Sequence, residues 1–392
     1  MTDTQNAPDA PAAADRDGGL WPSPDRVPAS APSSSRRGGS RVPVIVGSIV
    51  GVVLGAAISR GALPLDGARI ALGVLGALLA LWPQMLVHEA GHVAFGTLVG
   101  MRVYLVGIGR LRLERATRGW RGYRGAQALG LGGFALLLPR AAGFGRAAYC
   151  VLGLGGVAGN VATSAACVMA LERFAPGQAW SSLLGGAAAT GFLMAVVNLV
   201  PFRHHGWSTD GMIVLQALRG DAVGRARLAA MRVMGLSYAG TRPRDWPPAL
   251  MPETGDFEDP LMQAQVHAVH LAFALDAGAA DSAEAHARAL QAVFPALPPI
   301  VCGPVAIAIA AHLAVQRRDA ALLAAWLPLC RDGLADHAAS REWLHAERHA
   351  LEGDGQAARE RLAAARRADM ADRGDAQVLA ERLDALERRL DA

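Results

Sequence analysis

Long apolar runs separated by short polar segments fill the first half of the chain. Residues 42–59, 147–171 and 174–202 contain no charged side chain, and residues 70–101 contain one, Glu89. A helix needs about 20 predominantly apolar residues to cross a bilayer. The pattern therefore predicts about four transmembrane helices, of which the second is longer than one crossing.

One further apolar stretch, residues 125–139, is too short to cross a bilayer. Its glycines, among them Gly132 and Gly133, indicate a re-entrant loop or a hairpin packed against the helices. Residues 212–234 predict one more apolar helix. The sequence thus predicts an all-α polytopic membrane domain over residues 42–235, with a small membrane-associated β-hairpin region.

The two ends of the chain have a different composition. Residues 1–41 are rich in Pro, Ala, Ser, Gly and Asp, which predicts a disordered cytoplasmic tail. Residues 236–260 are rich in proline and predict a stiff linker. Over residues 261–392 apolar side chains recur at helical spacing, which predicts a soluble, cytoplasmic α-helical domain. Its segments match a tetratricopeptide-type (TPR-like) repeat or, as the alternative, a plain helical bundle.

Composition and charge support a membrane protein. Hydrophobic residues make up 52% of the 392 residues and charged residues 18%, and every basic side chain is an arginine. Nine arginines lie between the second and third predicted helices, whereas the loops on the other side contain only Arg60, Arg69 and Arg173. The positive-inside rule therefore predicts that both termini are cytoplasmic. We expect an integral membrane protein of a bacterial inner (plasma) membrane. A nucleic-acid-binding surface is the alternative for this basicity, but no aromatic-basic motif accompanies it, so no nucleic-acid partner is expected.

The strongest chemical signal is the sequence His88-Glu89-Ala90-Gly91-His92. Histidines four residues apart lie on one helix face, one turn apart, so both imidazoles can bind a single Zn²⁺ ion. Glu89 beside them can accept a proton from a water molecule that the metal activates. These ionisable groups lie inside a predicted transmembrane helix, where such groups are costly and usually functional. This context favours a zinc site over a chance occurrence of the pattern.

A catalytic zinc ion takes three protein ligands and keeps one position for water, so a third ligand is required. The candidate is Asp210, which follows the last predicted transmembrane helix and lies on the same membrane side as the histidine pair. By itself, the Asp-Gly pair at residues 210–211 would sooner indicate an ordinary turn or a helix N-cap than a metal ligand. His204 and His205 are nearby alternatives as ligands, although histidines in an interfacial loop need no such role.

These motifs together resemble the site-2 protease family of intramembrane zinc metallopeptidases. The HExxH sequence is followed about 120 residues later by Asn-x-x-Pro at residues 198–201 and Asp-Gly at residues 210–211. Gly-Gly-Phe at residues 132–134 resembles the family's membrane-associated hairpin, and residues 101–109 resemble its strand after the first catalytic helix. Residues 155–160 resemble the family's G-P-x-x-N helix, with valine in the place of the proline.

The resemblance implies a role for each matching residue: the zinc ligands His88, His92 and Asp210, the general base Glu89, and the substrate-binding residues Asn198 and Asn160. For Asn160, a hydrogen bond that joins two helices is an equally good explanation. The implied cofactor is one Zn²⁺ ion. No comparable constellation is expected in residues 261–392. His345 and His349 are four residues apart, but Ala346 stands where the general base would be, so an exposed helix face is the better interpretation.

The implied activity is hydrolysis of peptide bonds in or next to a transmembrane segment of a membrane protein or membrane-inserted peptide. A strand edge at residues 103–107, or the hairpin at Gly132, would hold the unwound substrate in an extended form. Residues 261–392 would bind a cytoplasmic protein partner or the substrate's tail. The alternative function is a non-catalytic membrane scaffold whose cytoplasmic helical domain binds a protein partner.

Overall fold

The computed structural model describes residues 21–30, 67–116, 119–125, 133–140, 143–174, 177–204, 207–368 and 374–392. It is mostly helical, with a small four-stranded antiparallel sheet. The transmembrane helix predicted at residues 42–59 lies outside the described residues, as do Gly132 and His205.

Three long apolar helices form where the sequence predicts transmembrane segments. Helices α1 (Gly67–Leu98), α2 (Arg146–Phe174) and α3 (Gln178–Leu199) each pack against the other two. Each is long and apolar enough to cross a membrane. Glycines allow close approach: a Cβ atom on Gly91 of α1 would lie 2.2 Å from the carbonyl oxygen of Gly155 in α2. Many large apolar side chains on the outer faces are exposed, as expected of a bundle that faces lipid.

A fourth helix of sufficient length and apolarity, Pro299–Arg317, lies in the C-terminal part of the chain. In its most apolar window 67% of the residues are buried within the structure, against 17% to 33% in the three other helices. Protein neighbours therefore account for its apolar composition, since a helix that is apolar on every side fits the interior of a domain.

The segment between α1 and α2 folds into antiparallel strands in the order β3-β2-β1-β4. The strands are β1 (Met101–Ile108), β2 (Leu111–Ala116), β3 (Gly119–Arg124) and β4 (Gly133–Pro139). The predicted strand and hairpin are thus parts of one larger sheet. The expected substrate-binding edge at residues 103–107 is wrong for Leu105, Val106 and Gly107, which pair with β2 as well as with β4, whereas Val103 pairs with β4 alone. The outer strands of the sheet are β3 and β4.

Strands β2 and β3 form in an arginine-rich stretch that has the composition of a charged loop. Arg112 is nevertheless buried, because its Nη1 donates to two carbonyl oxygens at 2.8 and 3.0 Å and its guanidinium lies over the Phe134 ring. Glu114 is also buried and accepts a hydrogen bond from Arg121 at 3.2 Å. These internal partners allow charged residues to become part of a folded sheet.

Two helices follow α3 where the sequence predicts a single one over residues 212–234. Helix α4 (Asp210–Arg219) ends at Gly220, whose φ of +61° is a conformation that favours glycine. Asp221 then caps helix α5 (Ala222–Tyr238) by accepting a hydrogen bond from a backbone N–H. The two capping signals explain the break in the apolar pattern.

The predicted linker at residues 236–260 is packed against its neighbours. It contains the 3₁₀ turns Pro243–Asp245 and Pro248–Leu250, and Trp246 between them is buried. The Trp246 side chain shares a small core with Val233 of α5 and with the first helix of the C-terminal part. The linker therefore holds the C-terminal part against the membrane part through side-chain contacts.

The C-terminal part is helical, as predicted. Its helices are α6 (Pro260–Ala277), α7 (Ala280–Val293), α8 (Pro299–His312), α9 (Ala320–Trp326), α10 (Ala338–Leu351), α11 (Gly355–Arg367) and α12 (Gly374–Asp391). Helix α6 packs on α7 and α10 packs on α11, around a core that includes Trp326 and Trp343. The assignment of these pairs to TPR-like repeats stays a prediction. Residues 21–30 differ from the predicted disordered tail: they pack on this part, and Val27 joins its core.

Candidate metal centre

Helix α1 presents His88 and His92 toward α2, one helical turn apart. Their Nε2 atoms are 3.2 Å from each other, and the two rings meet edge to face. The facing residue of α2 is Gly156, where a Cβ atom would lie 2.6 Å from both Nε2 atoms. Only glycine at this position leaves room for both imidazoles, so the glycine-rich sequence of α2 is part of the construction of the site.

Asp210 is placed by the loop between α3 and α4. Thr209 caps α4 by accepting the Met212 N–H at 3.3 Å, and its hydroxyl donates to the Val200 carbonyl oxygen at 2.8 Å. Gly211 lets the helix start press against the end of α3, since a Cβ atom there would lie 1.8 Å from the Leu199 carbonyl oxygen. The first residue of α4 is therefore held next to α1.

The three predicted ligands converge. The Asp210 Oδ2 atom lies 3.1 Å from His88 Nε2 and 3.4 Å from His92 Nε2. One ligand atom from each residue falls within 4.8 Å of the others, so the group could bind a metal ion. We call these three residues the metal centre. It is largely enclosed, with side-chain exposures of 9%, 14% and 14%.

The outer ring nitrogens of both histidines are held by oxygen acceptors. His92 Nδ1 lies 2.8 Å from the Leu152 carbonyl oxygen, which can only accept, so Nδ1 carries the proton. His88 Nδ1 lies 2.8 Å from Asn160 Oδ1. The Asn160 amide is oriented by its own donation to the Gln84 carbonyl oxygen at 2.8 Å, so Oδ1 is its acceptor and His88 Nδ1 donates. In their neutral form the two imidazoles therefore direct unprotonated Nε2 atoms at the centre, which is the form in which histidine binds a metal.

This donor set fits a metal cation. Two nitrogen lone pairs and a carboxylate oxygen face one another at short range, which is unfavourable without a positive charge between them. Within the described residues, the buried Asp210 Oδ2 atom has no polar partner apart from the two imidazole Nε2 atoms. Two imidazole nitrogens and one carboxylate oxygen are also a ligand set that Zn²⁺ accepts.

Glu89 lies beside the metal centre and against the sheet. A Cβ atom on Gly133, the first residue of β4, would lie 2.8 Å from Glu89 Cγ and 3.0 Å from its Oε1. The carboxylate is therefore next to the start of an outer strand of the sheet. Glycine at residue 133 is required for this close approach.

The two predicted substrate-binding asparagines occupy different environments. Asn160 is fully buried and bonds to His88, and it also joins α2 to α1 through Gln84, which agrees with the helix-joining explanation. The Asn198 Nδ2 atom donates to the Met194 carbonyl oxygen of its own helix at 3.0 Å. The backbone of His204 belongs to the short strand Arg203–His204, and its side chain is not among the described atoms. His205 lies outside the described residues.

Sequence reasoning missed Gln84, which holds the amide of Asn160. Its Oε1 accepts from Asn160 Nδ2 and from the Thr163 hydroxyl, both at 2.9 Å. A signal existed: Gln84 is a polar residue four positions before His88 in an apolar run, and thus on the same helix face.

Comparisons with known proteins give no relative, since no family model, no curated protein and no solved structure matches this chain.

Proposed function

We propose that this chain is a zinc-dependent intramembrane endopeptidase. The observation that carries the proposal is the convergence of His88, His92 and Asp210 among apolar helices, with Glu89 beside them. Buried ionisable groups within membrane helices are costly, and here they have oriented partners rather than exposure to water. If the metal centre had only a structural role, the additional carboxylate of Glu89 beside it would not be required.

Each residue has a defined part in peptide hydrolysis. His88, His92 and Asp210 would hold zinc, which when bound lowers the pKa of a coordinated water molecule to about 7. Glu89 accepts the proton that the attacking water loses and passes it to the amine of the departing peptide. Asn160 and Leu152 keep the imidazoles in the tautomer that binds metal.

The substrate class follows from the surroundings of Glu89. A helical transmembrane segment hides its carbonyl groups in hydrogen bonds and must be unwound before cleavage. The outer edge of β4 begins at Gly133 beside Glu89 and can pair with an extended segment by strand addition. The proposed substrate is therefore a transmembrane or membrane-adjacent segment of another protein.

Contacts across the molecule support the proposed topology. Arg121 of β3 pairs with Asp336 of the C-terminal part at 3.0 Å, and the Tyr123 hydroxyl donates to the Leu334 carbonyl oxygen at 3.4 Å. Val27 is also packed on the C-terminal part. In the proposed topology all three regions lie on one side of the membrane, and the arginine distribution favours the cytoplasmic side. We propose a bacterial inner membrane as the location.

The test compares the full chain with its Glu89→Gln variant in the membranes of expressing cells. Quantitative mass spectrometry reports the membrane proteins that are shortened near a transmembrane segment. We expect shortening by the native chain, none by Glu89→Gln, and about one zinc ion per purified chain in both. Glu172→Gln, at the exposed end of α2, is the matched control and should behave as the native chain.

Two outcomes would contradict the proposal. Unchanged shortening by Glu89→Gln would remove Glu89 from the chemistry. No shortening by the native chain, with zinc bound, would instead favour the non-catalytic scaffold whose C-terminal domain binds a protein partner.

A further inference from the structure

A tryptophan near the N-terminus occupies a charged pocket of the C-terminal helices. The Trp21 Nε1 atom donates to Glu284 Oε1 at 2.5 Å, and its ring stacks on His312 with an interplanar angle of 14°. The Arg317 guanidinium lies over the Trp21 ring, 5.5 Å from its centroid. Polar, stacking and cation–π contacts thus all act on one indole side chain.

The pocket has its own internal support. Glu284 also accepts hydrogen bonds from Arg288 Nε at 2.6 Å, from His312 Nε2 at 2.7 Å and from Arg317 Nη1 at 3.2 Å. These partners hold the Glu284 carboxylate in place whether or not Trp21 is bound. The acceptor for an indole N–H is therefore preorganised, which is a property of a binding site.

A second anchor lies six residues further along the chain. The 3₁₀ turn Pro24–Arg26 lies against α9, and Val27 is buried in the same core as the C-terminal helices. Between the anchors the side chains are mostly exposed. The contact is therefore made by a short segment that inserts two side chains, Trp21 and Val27, into the C-terminal part and leaves the residues between them mostly exposed, as a bound peptide does.

We propose that the Trp21 pocket and the Val27 contact together form a groove that binds a peptide with a tryptophan followed six residues later by an apolar residue, and that residues 21–27 are its ligand in cis. The composition of the tail supports the assignment, because residues 1–20 and 31–41 offer few large apolar side chains that could anchor it. A ligand tethered to its own site experiences an effective concentration of about 1 mM. A modest intrinsic affinity therefore suffices to keep the tail bound. The inference does not depend on the metal centre or on the proposed activity.

The experiment uses a fluorescent peptide with the sequence of residues 18–30 and the full chain in detergent. In the Trp21→Ala/Val27→Ala double variant the groove is free, whereas in the native chain the tail competes. We expect the peptide to bind the variant at least about tenfold more tightly than the native chain, given the effective concentration of the tail. Peptides carrying the Trp21→Ala or Val27→Asp change are matched controls that cannot affect protein folding, and they should bind at least tenfold more weakly.

Trypsin gives a second readout on the same proteins. The peptide bond after Arg26 should be cleaved about tenfold faster in the double variant, because the tail is released for most of the time. Equal peptide binding to the variant and the native chain, no binding to either, or an unchanged cleavage rate at Arg26 would overturn the proposal.

Discussion

The metal centre and a second group of histidines, in the C-terminal part, both bring imidazole rings together, but their ring nitrogens have different hydrogen-bond partners. In the C-terminal part, His267 and His270 lie almost one turn apart on α6 and face His286 of α7. We call these three residues the histidine cluster. His267 Nδ1 and His286 Nδ1 share a hydrogen bond at 3.0 Å, and His270 Nε2 donates to the Pro252 carbonyl oxygen at 2.8 Å.

The metal centre has the opposite arrangement. Its outer nitrogens are bound by Asn160 and Leu152, and its inner nitrogens face the Asp210 carboxylate. In the histidine cluster two ring nitrogens bond to each other and the third ring bonds to a backbone carbonyl oxygen. Within the described residues only the metal centre brings three possible ligand atoms together. We infer that the direction in which the ring nitrogens are held, more than the number of histidines, separates a group that could bind a metal ion from a packed group of rings.

The largest expected effect is on metal content, and it separates the two groups directly. His88→Ala removes one of three ligands, so zinc affinity should fall by more than the roughly 100-fold loss typical of a second-shell change. His286→Ala removes a ring of the histidine cluster, which lies outside the metal centre, and should leave zinc binding unchanged. Metal analysis of the purified proteins is the measurement. Zinc loss in both variants, or in neither, would contradict the assignment.

The second prediction concerns the space in front of the histidines. Gly156→Ala should abolish zinc binding, because the added Cβ atom would lie 2.6 Å from both Nε2 atoms. Gly185→Ala in α3 is the matched control, since nothing lies within 4 Å of a Cβ atom there. Both proteins should be assayed by zinc titration. If Gly156→Ala binds zinc as the native chain does, the described geometry of the site is wrong.

The third prediction compares the two asparagines that the family resemblance marks as substrate-binding. Asn160→Ala leaves His88 Nδ1 without its acceptor and should lower zinc affinity about 10- to 100-fold. Asn198→Ala should leave zinc affinity unchanged, because the Asn198 amide bonds to its own helix. Zinc titration against a competing chelator measures both. An equal effect of the two substitutions would show that Asn160 does not orient His88.

The smallest expected effect is on the pH dependence of stability, and it belongs to the histidine cluster. Burial and the neighbouring charges of His270 and His267 lower the pKa of His286 to about 4. The unfolded chain binds this proton near the ordinary pKa of about 6.5, so folding stability falls as the pH decreases from 6.5 toward 4.

His286→Asn should remove part of this pH dependence. After allowance for the exposure of the ring, we expect a difference of about 1 kcal/mol between neutral and acidic solution. Thermal unfolding of both proteins at about pH 7 and about pH 5 measures it. Identical pH dependence of the native chain and the variant would show that His286 carries no such proton linkage.

The three apolar helices and the histidine pair could be predicted from the sequence, because each depends on the order of residues within a single helix. It did not reach β2 and β3, since the partners that let Arg112 and Glu114 be buried are other side chains of the folded sheet. Asp210 was a candidate ligand from its place after the last predicted transmembrane helix and from the family resemblance, and the structure adds its position beside the histidine pair. The contact of Trp21 with Glu284 spans 263 residues, a separation that no local pattern encodes.

The central claim, that the metal centre binds zinc, is tested most directly by X-ray absorption at the zinc edge on the purified full chain. We expect about one zinc ion per chain with only nitrogen and oxygen ligands, at about 2.0–2.2 Å. This signal should be lost in Asp210→Ala and kept in Glu89→Gln. A sulfur ligand at about 2.3 Å, or a spectrum unchanged by Asp210→Ala, would contradict it.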